Sequence, residues 1–470
     1  DPERVREFAD VARQEYVAIG IRSALHPQID LGTEPRWGRQ FHTFGNDSGF
    51  VAEVAAAYIE GFQLDADLGP TSVATMAKHF PGGGPQLDGE DAHFPYGREQ
   101  VYPGGRFNDH LVPFRRAIAV GTSALMPYYG MPIGLELDGE RIEEVGFGYN
   151  KQILTGLLRE QLGYDGVICT DWGLVTGTVV AGRPLPARAW GVEHLGELDR
   201  LVKIIEAGAD QLGGEALTDL LRQAVEQGLI SKQRLDASVR RLLIVKFQLG
   251  LFDDPFVDED AAEETLGRAD FRRAGHRAQA ESMVLLRNEP VHGAALLPLQ
   301  PGLTVYTEGL PIEDAQRLGE VIEDAAAADV AVIRLPAPFD IRDDLFLEGF
   351  FHQGSLEYRP GLVARLRDIA AATPVVIVAN LERPAILSPF VDFASAILTD
   401  VGASSAACVD IVTGAISPRG HLPFEIPRST GAIRDSQSDV ANDTADPLYP
   451  RGAGLSYTRS RGSTWSTPDD

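Results

Sequence analysis

The sequence predicts an α/β protein whose N-terminal part is a (β/α)8 barrel, or TIM barrel, of parallel strands. Apolar, strand-like segments alternate with segments of helical periodicity from residue 1 to residue 250, which is typical of parallel βα units. The predicted strands end in polar or aromatic side chains, and a barrel assembles its active site at that end of its strands. A Rossmann-type sheet would need a G-x-G-x-x-G turn, and Gly82–Gly84 lacks that spacing, so the barrel is favoured.

The first half divides into alternating elements. Helical periodicity predicts helices at residues 1–19, 47–62, 109–120, 150–161 and 197–206. Apolar runs between them predict strands at residues 20–30, 73–80, 123–129, 166–171 and 210–213. A closed barrel needs about eight strands, so we expect a chain that begins inside a barrel. The first barrel units would then be a missing N-terminal fragment or lie on another chain, and a homodimer is a further alternative.

A second α/β unit follows the barrel. Residues 231–251 predict a closing helix with a basic face, and Gly250 and Pro255 mark its end. Further strands are predicted at residues 303–307, 329–335, 374–380 and 395–399. We therefore predict a barrel domain over 1–255, a linker over 256–280, a second domain over 281–460 and a disordered tail over 461–470.

Composition narrows the classes of partner. The net charge of −26 over 470 residues makes nucleic acid and anionic membranes poor partners and favours a neutral, hydroxyl-rich or cationic substrate. No apolar run approaches the roughly 18 residues that cross a bilayer, so the chain is expected to be soluble, whether secreted or cytoplasmic. The two cysteines, Cys169 and Cys408, lie in apolar surroundings and are predicted to be buried thiols. No metal or cofactor is expected.

Asp171 is the first candidate for a catalytic residue. It stands with Trp172 at the end of the apolar run that begins at Gly166. A buried parallel strand that ends in a carboxylate and a large aromatic is typical of chemistry at a strand tip. The alternative is that Asp171 only caps the helix that follows.

Several motifs together resemble glycoside hydrolase family 3. They occur in the family's order over nearly the whole chain: Lys78-His-Phe-Pro-Gly-Gly83, Thr170-Asp-Trp172, the helix from Arg240 to Gly250-Leu-Phe, Glu281-Ser-Met-Val-Leu-Leu-Arg-Asn288, Gly420-His-Leu-Pro-Phe and Gly454-Leu-Ser-Tyr457. The resemblance implies a barrel followed by an α/β sandwich domain, with exo-acting, retaining hydrolysis of β-glycosides.

The resemblance also implies roles for single residues. Asp171 matches the nucleophile of the family's Ser-Asp-Trp motif, with Thr170 in place of the serine. A retaining enzyme needs such an ionised carboxylate and a second carboxyl that protonates the leaving oxygen. The predicted sugar-binding residues are Arg39, Lys78, His79, Tyr129 and Trp172. The two aromatic residues are expected to offer apolar faces to the sugar ring, and a cation beside Asp171 would keep it ionised.

Glu348 is the predicted acid/base. Leu347-Glu-Gly-Phe350 is similar to the family's Ser-Glu-Gly type of loop, and three phenylalanines flank the carboxyl. Glu357 is a nearby alternative. The family's N-acetylglucosaminidase branch carries an Asp-x-His dyad that Asp91-Ala-His93 resembles, so Asp91 and His93 are the alternative acid/base pair.

The predicted function is therefore release of a non-reducing terminal sugar, first β-D-glucose, through a covalent glycosyl-aspartate intermediate. A β-xylosidase or an N-acetyl-β-glucosaminidase of the same family is the alternative. A different class of function is a non-catalytic carbohydrate-binding protein, since a fold does not guarantee turnover. The expected partner is a small-molecule or oligosaccharide β-glycoside.

Overall fold

A computed structural model describes residues 1–457 of the chain, which form two compact units. The first unit comprises Asp1–Phe271, Phe339–Leu356 and Gly431–Ala445. The second unit comprises Arg272–Pro338, Glu357–Thr430 and the segment from Asp446 onward. The predicted disordered tail at 461–470 lies outside the described residues.

The first unit contains a curled sheet of five parallel strands, which confirms a partial barrel. In chain order the strands are β1 (Ser23–Ala24), β2 (Ala74–Phe80), β3 (Ala124–Pro127), β4 (Val167–Trp172) and β5 (Gln211–Gly213), and each pairs with its neighbours in that order. The predicted strand at 20–30 is wrong in its length. Pro27 lacks the N–H that a ladder needs, and beyond it only isolated bonds such as Ile29 N–H to the Lys78 carbonyl continue the pairing.

Helices cover the outer face of this sheet. The helices of the first unit are α1 (Pro2–Ala18), α2 (Ser48–Gln63), α3 (Phe107–Ala119), the π-helix α4 (Gln152–Gln161), α5 (Glu197–Ala207), α6 (Thr218–Glu226), α7 (Lys232–Gln248) and α8 (Glu259–Thr265), and α9 (Ala269–Ser282) follows. The six helices predicted in this half, counting the closing helix, are confirmed with small shifts at their ends. The apolar sides of α2 to α6 form one buried cluster with sheet residues such as Ala77, Leu125 and Ile168, whereas α1 packs in a separate small cluster.

The inner face of the sheet has a much smaller core. Met76, Met126 and Cys169 on this face pack against Leu242 and Val245 of α7. A closing helix therefore fills the space in which a complete barrel would pack strand against strand. Cys169 and Cys408 are both buried free thiols, as predicted.

The second unit is built on a six-stranded sheet. Its strands are β6 (Val284–Asn288), β7 (Thr304–Glu308), β8 (Glu320–Val321), β9 (Val330–Leu335), β10 (Val375–Asn380) and β11 (Ala396–Asp400), in the spatial order β6-β11-β10-β9-β7-β8. All neighbours are parallel except β6, which the sequence did not predict and which pairs antiparallel with β11. The helices are α10 (Ile312–Ala315), α11 (Pro360–Ala370), α12 (Ser388–Val391) and α13 (Ser405–Val412). Both faces of this sheet are buried.

Two segments leave the strands of the second unit and belong to the first. The segment 339–356 carries Glu348 in a single helical turn, and Arg342 within it forms an ion pair with Glu90. The segment 431–445, which includes most of a short helix (Thr430–Arg434), carries Asp439, whose carboxylate accepts hydrogen bonds from backbone N–H groups near residue 105. Among the helices of residues 1–457, none is long and apolar enough to cross a bilayer.

Candidate active site

The carboxyl ends of β2, β3 and β4 bring most of the predicted site residues together. His79, Tyr129 and Asp171 come from three neighbouring strand ends, which lie at one edge because the strands are parallel. Arg39 joins them from the loop after β1, where its Nη1 donates to Nε2 of His79 over 3.1 Å.

Asp171 is held in a fixed position as an ionised group. It is 8% exposed, and its Oδ1 accepts hydrogen bonds of 2.8 Å from the Tyr129 hydroxyl and from the backbone N–H of Trp172. Burial would raise its pKa, yet the pKa of Asp171 lies below its ordinary value because the charges of His93 and Arg39 and this N–H oppose burial, and His79 would add to them only if it were protonated. A carboxylate that stays ionised and rigid in a buried site is suited to act as a nucleophile.

Asp30 and His79 form a fully buried pair that the sequence analysis missed. Oδ2 of Asp30 lies 2.8 Å from Nδ1 of His79, and its Oδ1 accepts backbone N–H bonds from His79 and Gly83. Burial raises the pKa of Asp30 to about 6, although these two N–H groups work against the shift. Asp30 is the last residue of the strand predicted at 20–30, so the rule that indicated Asp171 could have indicated it too.

His79 is neutral in this arrangement. Arg39 can only donate, so Nε2 of His79 must accept and the ring proton must be on Nδ1, facing Asp30. Burial, followed by the nearby Arg39 charge, places the pKa of His79 well below its ordinary value, which agrees with this tautomer. A neutral ring cannot supply positive charge to Asp171, 3.8 Å from Nε2, so we attribute the lowered pKa of Asp171 mainly to its other neighbours.

Lys78 and Arg39 supply positive charge beside Asp171 and Asp30. Arg39 is 8% exposed and Lys78 is half-buried. Burial, with Arg39 next, lowers the pKa of Lys78, whereas Asp171 and Asp30 act in the opposite direction. Within residues 1–457 the Lys78 ammonium forms no ion pair, so its N–H donors are available to substrate hydroxyls.

Asp91 and His93 form a second pair near Asp171. Oδ1 of Asp91 lies 2.6 Å from Nδ1 of His93, while Oδ2 accepts from Trp37 Nε1 and from the Tyr128 hydroxyl. Burial alone would raise its pKa, but the charge and hydrogen bonds of His93 hold the pKa of Asp91 well below its ordinary value. The ring of His93 packs 4.7 Å from that of Tyr129, which links the pair to Asp171.

The two predicted aromatic platforms differ in exposure. Trp172 is 38% exposed, so its ring is available to a ligand. Tyr129 is 3% exposed and its ring is covered by neighbours, while its hydroxyl contacts Asp171 and the Trp172 carbonyl. Tyr129 therefore contacts the Asp171 carboxylate through its hydroxyl, and its ring has no open face for a sugar.

Glu348 is buried in the first unit, on the segment 339–356. It is 3% exposed, and its carboxylate accepts hydrogen bonds from the Tyr96 hydroxyl at 2.8 Å and from the Leu345 N–H at 2.6 Å. Phe351, three residues on, packs 4.7 Å from His93, so this turn borders the Asp91–His93 pair. Glu357 belongs to the second unit, where it is exposed and accepts a hydrogen bond from Thr430.

Other residues of the site have no signal in the sequence alone. Gln353 accepts a hydrogen bond from the Asp91 N–H over 2.9 Å, and Tyr96 and Arg188 contact predicted site residues. Each reaches the site across a long sequence separation, which spacing along the chain cannot indicate. Within the described residues, no group of three or more His, Cys, Asp or Glu side chains forms a metal site.

Two family models match the chain. The model of the glycosyl hydrolase family 3 N-terminal domain matches residues 1–245, and that of the C-terminal domain of the same family matches residues 312–457. Together they cover most of both units.

Similar proteins and structures agree with these matches. The chain is 46% identical over 461 residues to beta-glucosidase C of Emericella nidulans, covering 97% of this chain and 73% of that protein. It is 38% identical to a periplasmic beta-glucosidase/beta-xylosidase of Dickeya chrysanthemi, with 97% and 71% covered. The structure of a beta-glucosidase from Listeria innocua has the same fold, with a TM-score of 0.78 at 22% identity over 98% of this chain and 69% of the other.

Proposed function

The chain belongs to glycosyl hydrolase family 3, and we propose that it is an exo-acting, retaining β-glucosidase with Asp171 as its nucleophile. As a member of this family it is a glycosidase that hydrolyses O-glycosyl bonds. The observation that carries the proposal is the environment of Asp171, which keeps a buried carboxylate ionised beside two cations and a tyrosine hydroxyl. The beta-glucosidases at 44–46% identity over nearly the whole chain support the choice of sugar.

The reaction begins with attack on the anomeric carbon. The ionised Oδ2 of Asp171, which does not accept the Tyr129 or Trp172 bonds, forms the bond to this carbon as the bond to the leaving oxygen breaks. Tyr129 holds the other oxygen and so orients the carboxylate. The product of this step is a glycosyl-aspartate with the opposite anomeric configuration, which water then hydrolyses with a second inversion.

Glu348 is the proposed proton donor to the leaving oxygen and later the base that activates water. Tyr96 and the Leu345 N–H fix its carboxyl in the first unit, the unit that also contains Asp171. Arg39 and Lys78 are the proposed ligands of the sugar hydroxyls, and Trp172 is the proposed aromatic face. The neutral His79 keeps Arg39 in place by accepting its Nη1–H.

A specific observation supports a second candidate for the proton donor. Nδ1 of His93 is engaged by Asp91, and its ring packs against Tyr129 near Asp171. An imidazole oriented by a carboxylate can transfer a proton through its other nitrogen. In this alternative the preferred substrate would shift towards N-acetyl-β-glucosaminides.

Two measurements test the proposed function. A panel of nitrophenyl β-glycosides should show glucoside turnover first and xyloside second, and N-acetyl-β-glucosaminide as the sole substrate would contradict the proposal. Incubation with a 2-deoxy-2-fluoro-β-glucoside should trap the covalent intermediate, because the fluorine slows its hydrolysis. Peptide mass analysis should find the adduct on Asp171. Asp165→Asn, at the exposed opposite end of β4, is the matched control and should retain labelling.

A further inference from the structure

Arg188 is a buried arginine beside the candidate nucleophile that the proposed reaction does not use. It is 3% exposed, and within residues 1–457 it forms no ion pair with a carboxylate. It follows a two-stranded hairpin (Thr178–Val180 with Arg183–Leu185) that projects from the chain after β4. A buried arginine normally has a carboxylate partner, so this one requires an explanation.

The guanidinium lies among three neighbours of Asp171. Its Nε donates to the His93 carbonyl at 3.4 Å, and its central carbon lies 5.5 Å from the centre of the Tyr129 ring. Gly173, the second residue after Asp171, is so close that a β-carbon there would come within 2.9 Å of Nη1. The charge is therefore fixed beside Tyr129 and Gly173, at the ends of β3 and β4.

These contacts only partly offset the cost of burying the charge. The cation–π contact and the one long hydrogen bond replace only part of the hydration that the buried charge has lost. In the described part of the chain, Nη1 and Nη2 of Arg188 make no hydrogen bond. Neither nitrogen is one of the buried polar atoms that lack both a partner and solvent contact. The N–H groups of Nη1 and Nη2 therefore keep contact with solvent, and an oxygen of a bound ligand could replace that solvent.

The position of Arg188 indicates which part of a substrate it would meet. Arg39, Lys78 and His79 gather at the end of β2, where we place the sugar that is released. Arg188 contacts Tyr129 and lies against Gly173, the residue after the exposed Trp172, so it stands at the ends of β3 and β4. In an exo-acting site the leaving group extends towards the exposed side, so Arg188 borders the leaving group.

We propose that Arg188 is a specificity-determining residue that binds an oxygen acceptor on the leaving group. The acceptor is a sugar hydroxyl or a carboxylate, both of which a guanidinium fork binds. The preferred substrates are then β-glycosides whose leaving group carries such an oxygen, rather than plain aryl glycosides. This inference rests on the proposed β-glucosidase activity and assigns the leaving-group side of the same site.

Three substrates of similar leaving-group basicity test the inference: phenyl, 4-(hydroxymethyl)phenyl and 4-carboxyphenyl β-glucoside. We expect the wild type to favour at least one oxygen-bearing substrate over the phenyl compound by about tenfold in kcat/KM, the discrimination of one good hydrogen bond. Arg188→Met should abolish that ratio. The hydroxymethyl and carboxylate substrates distinguish the two sources of the acceptor, and Arg188→Lys should retain part of a preference for the carboxylate.

Controls separate recognition from structure. Arg141→Met removes an exposed arginine that pairs with Glu144 on the surface, and the substrate ratios should not change. Equal losses on all three substrates in Arg188→Met, or no preference in the wild type, would overturn the inference while the β-glucosidase proposal survives. If Arg188→Met fails to fold, the same comparison is made with Arg188→Lys. A wild type without any nitrophenyl β-glucoside turnover would instead remove the proposed function and this inference with it.

Discussion

The Asp30–His79 pair and the Asp91–His93 pair lie near the same carboxylate, but burial gives them different protonation properties. Both aspartates are fully buried. Asp30 has a partner histidine that is also fully buried, and its pKa is raised to about 6. Asp91 has a partner with some exposure and two further side-chain donors, and its pKa is lowered. Two pairs of the same residue types therefore differ because of desolvation and the number of donors.

The difference indicates separate tasks. The Asp91 carboxylate is a permanent anion that ties together the residues around it, including Trp37 and Tyr128. The Asp30–His79 pair is poised to gain a proton near neutral pH, and its histidine positions Arg39 by accepting a hydrogen bond. We expect perturbation of the Asp91–His93 pair to affect folding most, and perturbation of the Asp30–His79 pair to affect catalysis most.

The largest effect is expected at Asp171 itself, near both pairs. Asp171→Asn should lower kcat by about 1,000-fold or more, because the covalent step loses its nucleophile while the side chain keeps its shape. The midpoint of thermal unfolding should change little. Retention of more than about a tenth of the wild-type activity would contradict the assignment.

The next effect separates Glu348 from the Asp91–His93 pair as proton donor. Glu348→Ala should lose about 100-fold or more on a disaccharide and much less on a nitrophenyl glucoside, because an activated phenol departs with little protonation. Added azide should partly restore the nitrophenyl reaction by intercepting the glycosyl-enzyme.

His93→Ala is the matched comparison. It should slow both substrates about equally and show no azide rescue, as expected of a residue that shapes the site. The reverse pattern in the two variants would assign proton donation to His93, and the substrate would then be tested as an N-acetyl-β-glucosaminide.

Smaller effects should distinguish the two buried aspartates. The Asp91 carboxylate accepts from Trp37, Tyr128 and two N–H groups of His93. In Asp91→Asn the new NH2 group would face the Trp37 Nε1–H, which can only donate, so the substitution should lower the free energy of unfolding by about 3 kcal/mol. Asp30→Asn should cost less, about 1–2 kcal/mol, because His79 can move its proton to Nε2 and accept from the new amide, which leaves only the Arg39 contact unsatisfied.

That tautomer change should nevertheless affect catalysis. The Nε2–H of His79 would then face the Arg39 donor, so kcat/KM should fall about tenfold. Denaturant unfolding and ¹⁵N NMR of the histidine ring measure the two effects. A greater stability loss in Asp30→Asn than in Asp91→Asn would contradict the division of tasks.

The smallest effect is a dependence on pH that only the Asp30–His79 pair should produce. As pH falls through about 6, the pair gains a proton, Nε2 of His79 can no longer accept from Arg39, and kcat/KM should decline several-fold. Asp171 has a lowered pKa and stays ionised over this range. Asp30→Asn should remove this acidic limb of the profile, and its persistence would exclude Asp30 as the titrating group.

The same pair should have little net effect on stability over this range. Asp30 has a raised pKa in the folded state, so its contribution to stability grows as pH falls from about 6 to about 4. His79 has a lowered pKa, so its contribution shrinks as pH falls below about 6.5. The two contributions cancel between about pH 4 and pH 6, because the pair carries one titratable proton in both states. In the folded state that proton is on Asp30, and in the unfolded state it is on His79.

The sequence predicted the regular elements better than the connections between them. The helices at 1–19 and 197–206 were predicted almost to the residue because their apolar faces repeat strongly. β6 was missed because one short antiparallel strand at the edge of a parallel sheet has no periodic signal distinct from its surroundings. The strand at 20–30 was predicted too long because its apolar pattern continues through Pro27.

The site was predictable where residues follow strands. Lys78, His79 and Asp171 follow strand-like runs, and parallel strands bring such ends to one edge. Asp30 ends a predicted strand and could have been indicated by the same rule, whereas Arg188 was missed because its importance depends on partners such as Tyr129 that are far along the chain. The predicted domain boundaries and the catalytic roles stay predictions. The segment 339–356 shows why a linear division is difficult, since it lies between strands of one unit and belongs to the other.

That segment also determines what would be exchanged in a chimera with a related enzyme. A crossover at residue 271 would take the whole second unit from the other parent, and with it both segments that belong to the first. The hybrid would keep its own Asp171 and inherit a foreign Glu348, together with a foreign Arg342 to meet Glu90. With the proposed roles of Glu348 as proton donor and Asp171 as nucleophile, sensitivity to leaving-group basicity would then follow the C-terminal parent, while labelling of the glycosyl-enzyme would follow the N-terminal one. Under these proposed roles, recombination at this position separates the two halves of one reaction.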